Sequence, residues 1–169
     1  MAPNTMTDLY VEKLKDLYSA EHQILKALPK MVQAATHEAL RDAFETHRLQ
    51  TETHVERLDR IFEELGKSPK GKMCRGVQGI IEEGAELMKE DPDAGILDVG
   101  LLSGAQSVEH YEMANYGSAR TWAEQLGYSV HASMLQQTLE EEQQADELLT
   151  ALAIQTINRD ADVGIASRR

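Results

Sequence analysis

A single cysteine, Cys74, is all the thiol in 169 residues. It excludes an intramolecular disulfide and a cysteine-based zinc cluster, and such sparing use suits a reducing cytosol. Proline is nearly as scarce, with four residues, and aromatics make up only 5%. β-Branched runs are few, so a sheet has little to be built from. No apolar run approaches the roughly 20 residues that span a bilayer, and Met1 to Thr7 is short and polar. Neither a membrane span nor a secretory leader is expected. Positive charge is also short: 17 Lys and Arg against 29 Asp and Glu leave a net charge of −12. So acidic a chain offers phosphate no basic stripe, which argues against a nucleic-acid partner and suits cations.

What the chain does have is residues that favour helices, chiefly Ala, Leu, Glu, Gln, Lys and Arg. In order, it reads as a flexible N-terminus (1–6), one helical domain (7–158) and a flexible polar tail (159–169). Thr7 is the expected N-cap of a first helix reaching Thr36, on the stripe Tyr10, Leu14, Leu17, Glu21, Ile24 and Leu28. Pro29 is expected to kink it. A second helix spans 38–65 on Leu40, Phe44, His47, Thr51, His54, Leu58 and Ile61, with Gly66 to stop it. After a polar connector comes a shorter helix over 73–90. Two more long helices follow, over 94–126 and 130–158, the last with Ser129 as its cap. Two antiparallel pairs joined by one long crossover describe an all-α, ferritin-like four-helix bundle with an extra short crossover helix.

Acids interrupt the stripes that should be apolar. One face of the third helix carries Leu102, Ala105, Glu109, Glu112 and Tyr116, and one face of the fourth carries Leu135, Leu139, Glu142, Asp146 and Leu149. An unpaired buried carboxylate costs several kcal/mol, so it must neutralise, pair or bind a cation. Each long helix carries such a residue near its midpoint: Glu21, His47, then Glu109 with Glu112, then Glu142 with Asp146. Residues three or four apart share a helix face and can reach one centre. Five carboxylates and one imidazole make an oxygen-rich ligand set for two metal ions, with iron or manganese favoured over a thiolate-type metal. Bridging carboxylates can hold such ions about 3.5–4 Å apart.

Plainer readings stand beside this one. A lone Glu21 is often solvated, Glu109 and Glu112 can face water in a shifted register, and Glu140 to Glu142 is a charge run of the kind that is usually a solvated face. His54 is either a hydrogen-bonding support or a core histidine. Gln50 is a weak neutral ligand or a partner of one. Tyr18 and Tyr111 lie near the proposed ligands in sequence, though packing explains them as well. Cys74 reads as buried and inert. A purely structural bundle, with a vestigial or adventitious cation site, is therefore the alternative to a working metal centre.

Five runs stand out: D-L-Y-S-A-E-H-Q (16–23), G-I-I-E-E-G (79–84), S-V-E-H-Y-E-M-A-N-Y-G (107–117), A-E-Q-L-G-Y (123–128) and T-L-E-E-E (138–142). Together they resemble the YciF/YciE family of bacterial ferritin-like stress-response proteins. The resemblance covers roughly residues 7–158. It implies a ferritin-like bundle, a rubrerythrin-like dinuclear centre, a cytoplasmic setting and a homodimer. By that resemblance Glu109 and Glu112 match an E-x-x-E helix, and Glu21 and Glu142 match single ligands. Where related helices carry E-x-x-H, this second helix reads H-x-x-Q from His47 to Gln50, and the fourth helix has no histidine beside Glu142 and Asp146. Any electron donor would be another protein or a small molecule.

Overall fold

The structure is a computed structural model that describes residues 3–166. Every regular element among the described residues is helical. Helix α1 (Met6–Ala34) starts at Thr5, two residues before the expected cap. Thr5 Oγ1 accepts the Asp8 amide at 3.0 Å and the Asp8 carboxylate accepts the Thr5 amide at 3.1 Å, a reciprocal capping box. Pro29 stands on the exposed side, within the unbroken helical run. Helix α2 (Glu38–Leu65) ends at Gly66 and the fourth long helix is entered through Gly127. Both glycines hold left-handed backbone, at φ +61° and +82°, which a side chain would oppose.

Helix α3 (Arg75–Lys89) is the crossover, α4 (Ala94–Gln125) and α5 (Ser129–Leu152) the second long pair. The pairs α1/α2, α4/α5, α1/α4 and α2/α5 pack as neighbours. Their cross-contacts run in opposite senses: Thr36 and Tyr111-bound Asp16 on α1 and its end meet Asp98 and Tyr111 on α4, while His54 and Glu64 on α2 meet Glu141 and His131 on α5. The four long helices therefore form the antiparallel bundle with a crossover that the sequence implied. The crossover is tied to α1, where Ser19 Oγ accepts the Cys74 amide at 2.9 Å and Gln23 donates to the Cys74 carbonyl at 3.0 Å.

The end of the chain differs from expectation. After Leu152 the helix continues as a π-helical segment (Ala153–Ile157) and then as α6 (Asn158–Ala166), so much of the expected polar tail is ordered helix. Ile157 and Ala161 are buried, and α6 lies against the start of α4. A Cβ on Gly95 would stand 3.1 Å from the Ala161 Cα, so only glycine lets the two backbones come this close without a shift. The expected tail beyond Ala166, and residues 1–2 of the expected flexible N-terminus, lie outside the described residues.

Burial divides the core in two. One apolar cluster, with Ile24, Leu28, Leu40, Phe44, Leu101 and Leu149, fills the end nearer the α1/α2 turn. Another, with Tyr10, Leu14, Leu58, Ile61, Phe62 and Tyr116, fills the opposite end. Each large apolar side chain stabilises the fold by about 1.5–3 kcal/mol. Between the clusters lies a layer of buried acids and histidines.

Candidate metal centre

The layer is made by helical phase. Residues that recur every three or four positions on each stripe point inward, and at mid-height the stripes supply Glu21, His47, His54, Glu109, Glu112 and Glu142. All six are buried; Glu21, His54, Glu112 and Glu142 are wholly inaccessible. Their ligand atoms form two groups. His47, Glu109, Glu112 and Glu142 offer one atom each within 4.8 Å of one another, and so do Glu21, His54 and Glu142. Glu142 belongs to both, so the two groups share a carboxylate, as a bridged pair of cations requires.

Most of these atoms lack protein partners. Glu21 Oε2, both nitrogens of His47, His54 Nδ1, Glu109 Oε2 and both oxygens of Glu112 and of Glu142 are buried without a hydrogen bond. His54 Nδ1 comes within 3.0 Å of Glu142 Oε1 and 3.5 Å of Glu21 Oε1, close but not aligned as a hydrogen bond. His47 Nε2 stands 3.5 Å from Glu109 Oε1. Polar atoms in an apolar interior are otherwise paired, so this set of orphans fits a cation.

Electrostatics point the same way. Burial, then the neighbouring carboxylate of Glu142, pushes Glu109 well above the ordinary carboxylate range; burial, then Glu21, does the same to Glu112. Burial would raise Glu142 too, but His54 and then His47 outweigh it and hold its carboxyl low. Burial would lower His54, yet Glu21, Glu142 and the bond to Glu141 hold it well above the usual imidazole range. Crowded carboxylates can be relieved by protons or by positive ions. With all four carboxylates ionised, the set would balance two divalent cations, −4 against +4.

Two residues of this site were not expected as such. His54 Nε2 lies 2.9 Å from the carboxylate of Glu141, which accepts from Arg57 Nη1 at 2.5 Å and from Nη2 at 2.8 Å. The bond from Arg57 holds the Glu141 carboxyl down to about 2. With Nε2–H committed to Glu141, His54 presents Nδ1 to Glu21 and Glu142, and a cation there would take the place of the Nδ1 proton, the arrangement by which a carboxylate orients a metal-binding imidazole. The other is Tyr116, whose hydroxyl donates to Glu21 Oε1. The signal for His54 was present in its seven-residue spacing from His47, two turns of helix and the same face.

Asp146 is the expected ligand that the structure does not bring to the cluster. It is half-buried at the bundle edge, where it accepts from Gln106 at 3.1 Å and lies 3.4 Å from His110. Gln106 and His110, both on α4, hold its carboxylate at that edge, away from the centre that Glu142 faces. Gln50 lines the same cavity as His47 and Glu109. Tyr111 is bonded to Asp16 and to Cys74, whose thiol is buried and 3.0 Å from the phenol oxygen.

The sequence signature of the family described as "Domain of unknown function (DUF892)" matches residues 5–162. The protein YciF of Escherichia coli (strain K12) is 40% identical over 163 residues, covering 96% of this chain and 98% of that one. The crystal structure of the E. coli stress protein YciF superposes with a TM-score of 0.88 at 41% identity, covering 92% of this chain and 99% of that one. YcfI from Rhodopseudomonas palustris, provisionally described as a structural protein, gives a TM-score of 0.84 at 41% identity over 87% and 94% of the two chains.

Proposed function

This chain belongs to the DUF892 family, and we propose that it is a ferritin-like protein of the stress response whose midsection binds two metal ions, iron foremost and manganese second, for reaction with peroxide or oxygen. The observation that carries this reading is the layer of orphaned, buried ligand atoms shared between two groups through Glu142. Glu21 and His54 would hold one ion, His47, Glu109 and Glu112 the other, with Glu142 between them. Carboxylate oxygen and imidazole nitrogen suit iron and manganese, and the buried set holds no thiolate. A ferrous pair, when bound, supplies the two electrons that reduce a peroxide O–O bond.

The chain's own residues do the rest. Arg57 and Glu141 fix the His54 ring, so its Nδ1 is committed inward before any ion arrives. Tyr116 orients Glu21 and places a phenolic proton beside the acid layer. The two apolar clusters close the layer from both ends and keep bulk water from its charges. No described helix is long and apolar enough to cross a membrane. Homodimeric assembly and a cytoplasmic setting rest on the family resemblance alone.

Anaerobic loading with ferrous iron followed by a measured pulse of hydrogen peroxide tests the reading. Oxidation of both irons per chain at one peroxide per pair is the expected result. The structural-bundle alternative has its own support, in the description carried by YcfI and in a His54–Glu141–Arg57 network that is complete without a metal. It predicts no stoichiometric oxidation.

A further inference from the structure

A cavity of about 210 Å³ lies beside the acid layer. Its mouth is between α2 and α5, where Thr46, Gln144 and Leu148 are exposed, and its walls are the buried Leu28, Phe44, Ala105 and Leu149. Its inner surface includes His47 and Glu109, which are 6% and 2% exposed. Both His47 nitrogens and Glu109 Oε2 are among the unpartnered atoms. The space is thus apolar along its sides with unsatisfied polar atoms at its inner end.

Size and charge narrow the occupant. A helix, with a diameter of about 10–12 Å, cannot enter such a space. Several waters could, but apolar walls would leave them short of the two to four partners a buried water needs. An apolar cavity of about 150 Å³ takes up benzene, so this one suits a molecule of roughly ten heavy atoms. Glu109 stands at the inner end, with Glu112 and Glu142 in the same buried group behind it, and this disfavours an anionic head, fatty carboxylates included.

We infer that the cavity binds a small, uncharged, apolar molecule with one oxygen-bearing head, the head meeting His47 and Glu109 and the hydrocarbon lying between Leu28, Phe44 and Leu149. Among oxidants this describes an alkyl or aryl hydroperoxide in place of hydrogen peroxide, with the matching alcohol as the reduced form. The choice of oxidant rests on the proposed redox reading; binding of the organic molecule does not.

The test uses the full chain as purified and the stable alcohol 2-phenyl-2-propanol, followed by titration calorimetry and by a crystal structure of the complex. Saturable binding of one molecule per chain is expected, with the hydroxyl within hydrogen-bond distance of His47 or Glu109. Ala145→Phe, at the half-buried wall, and Ala105→Phe, deeper in, should each weaken binding at least tenfold. Ala85→Phe, in the neighbouring groove under α3, should leave it within twofold. Circular dichroism melts separate a filled cavity from a misfolded variant, and Ala145→Phe carries the result if Ala105→Phe fails to fold. No saturable binding, a hydroxyl turned to the mouth, or a loss confined to Ala85→Phe overturns the inference. Two ions per chain without alcohol binding would sink this proposal alone; alcohol binding in a protein that takes up no metal would sink the redox reading alone.

Discussion

Glu142 is the residue on which the two buried groups that could hold an ion meet, since both include it, whereas Glu21 belongs to one and Glu112 to the other. Glu142→Ala should therefore lose both ions and Glu21→Ala only one, as read by metal content after anaerobic loading. Equal losses from the two variants would contradict the shared-carboxylate arrangement. Arg57 acts at one remove, through Glu141 on His54. Arg57→Ala should weaken the Glu21-side ion by about 10–100-fold in affinity and leave the other ion bound. Competition with a calibrated chelator measures this, and a uniform loss at both positions would contradict it. At this scale the sequence exposed most of the site. Core-stripe phase alone separated Glu142 from Glu140 and Glu141 in a run of three acids, and the structure buries it completely. Asp146 shares the stripe but is drawn to Gln106 and His110 at the bundle edge, a tertiary contact that stripe phase does not record. His54 was left open because its orientation depends on Glu141 and Arg57, which stand on the flank of their stripes and whose meeting is a tertiary fact.

Asp98 links two elements. From the second turn of α4, buried at 3% exposure, its carboxylate accepts the Thr36 amide at 2.8 Å, the Thr36 hydroxyl at 2.6 Å and the His37 amide at 2.9 Å. It thereby holds the α1/α2 turn and satisfies donors at the start of α2, where His37 provides no side-chain cap. Hydrogen bonds to a charged group are worth about 1.5–3 kcal/mol each and do not simply add. Asp98→Ala should cost about 3 kcal/mol, or roughly 6–12 °C in melting temperature for a chain of this size. A melt within about 2 °C of the parent would show that the turn holds without Asp98. Helix positions were legible because stripes, Gly66 and Gly127 are local signals. The π-helical segment and α6 were not: a π-helical turn shifts the helix phase past Ala153, and in Asn158 to Asp162 a single Ala161 is the only apolar side chain. That end packs on α4 through the buried Ile157 and Ala161, the latter against Gly95 sixty-odd residues earlier, and no local pattern records it.

For the whole molecule, the division of the core makes stability depend on solution conditions in two separate places, an apolar end and the acid layer. In the apolar cluster away from the α1/α2 turn, Tyr10 stacks with Tyr128 at 5.9 Å, and its hydroxyl lies 3.3 Å from His131 Nδ1. Burial, then Tyr128, raises the Tyr10 phenol well above its ordinary value of 10.0. A group raised on folding lends stability that is complete below its unfolded value and declines as pH rises from about 10 toward the folded one. Tyr10→Phe should be weaker than the parent by about 1 kcal/mol at neutral pH, having lost one buried hydrogen bond. It should also lose less stability than the parent in denaturant melts taken above about pH 10. Parallel declines in the two proteins would contradict a role for Tyr10.

The acid layer leans the same way with pH, since burial raises Glu109 and Glu112 as it raises Tyr10, and a bound cation would relieve the crowding that protons otherwise relieve. Cations that bind the folded chain alone stabilise it by mass action, about 4 kcal/mol at a thousandfold excess over the dissociation constant. The most direct measurement is therefore elemental analysis of the full chain, purified without chelator or affinity nickel, together with its melting temperature before and after metal removal. Close to two irons or manganeses per chain, with a melting temperature that falls on removal and returns on anaerobic reloading, is the result expected of a dinuclear centre. A content near zero, with no uptake on reloading and an unchanged melt, would contradict it and leave the acid layer as part of a structural bundle.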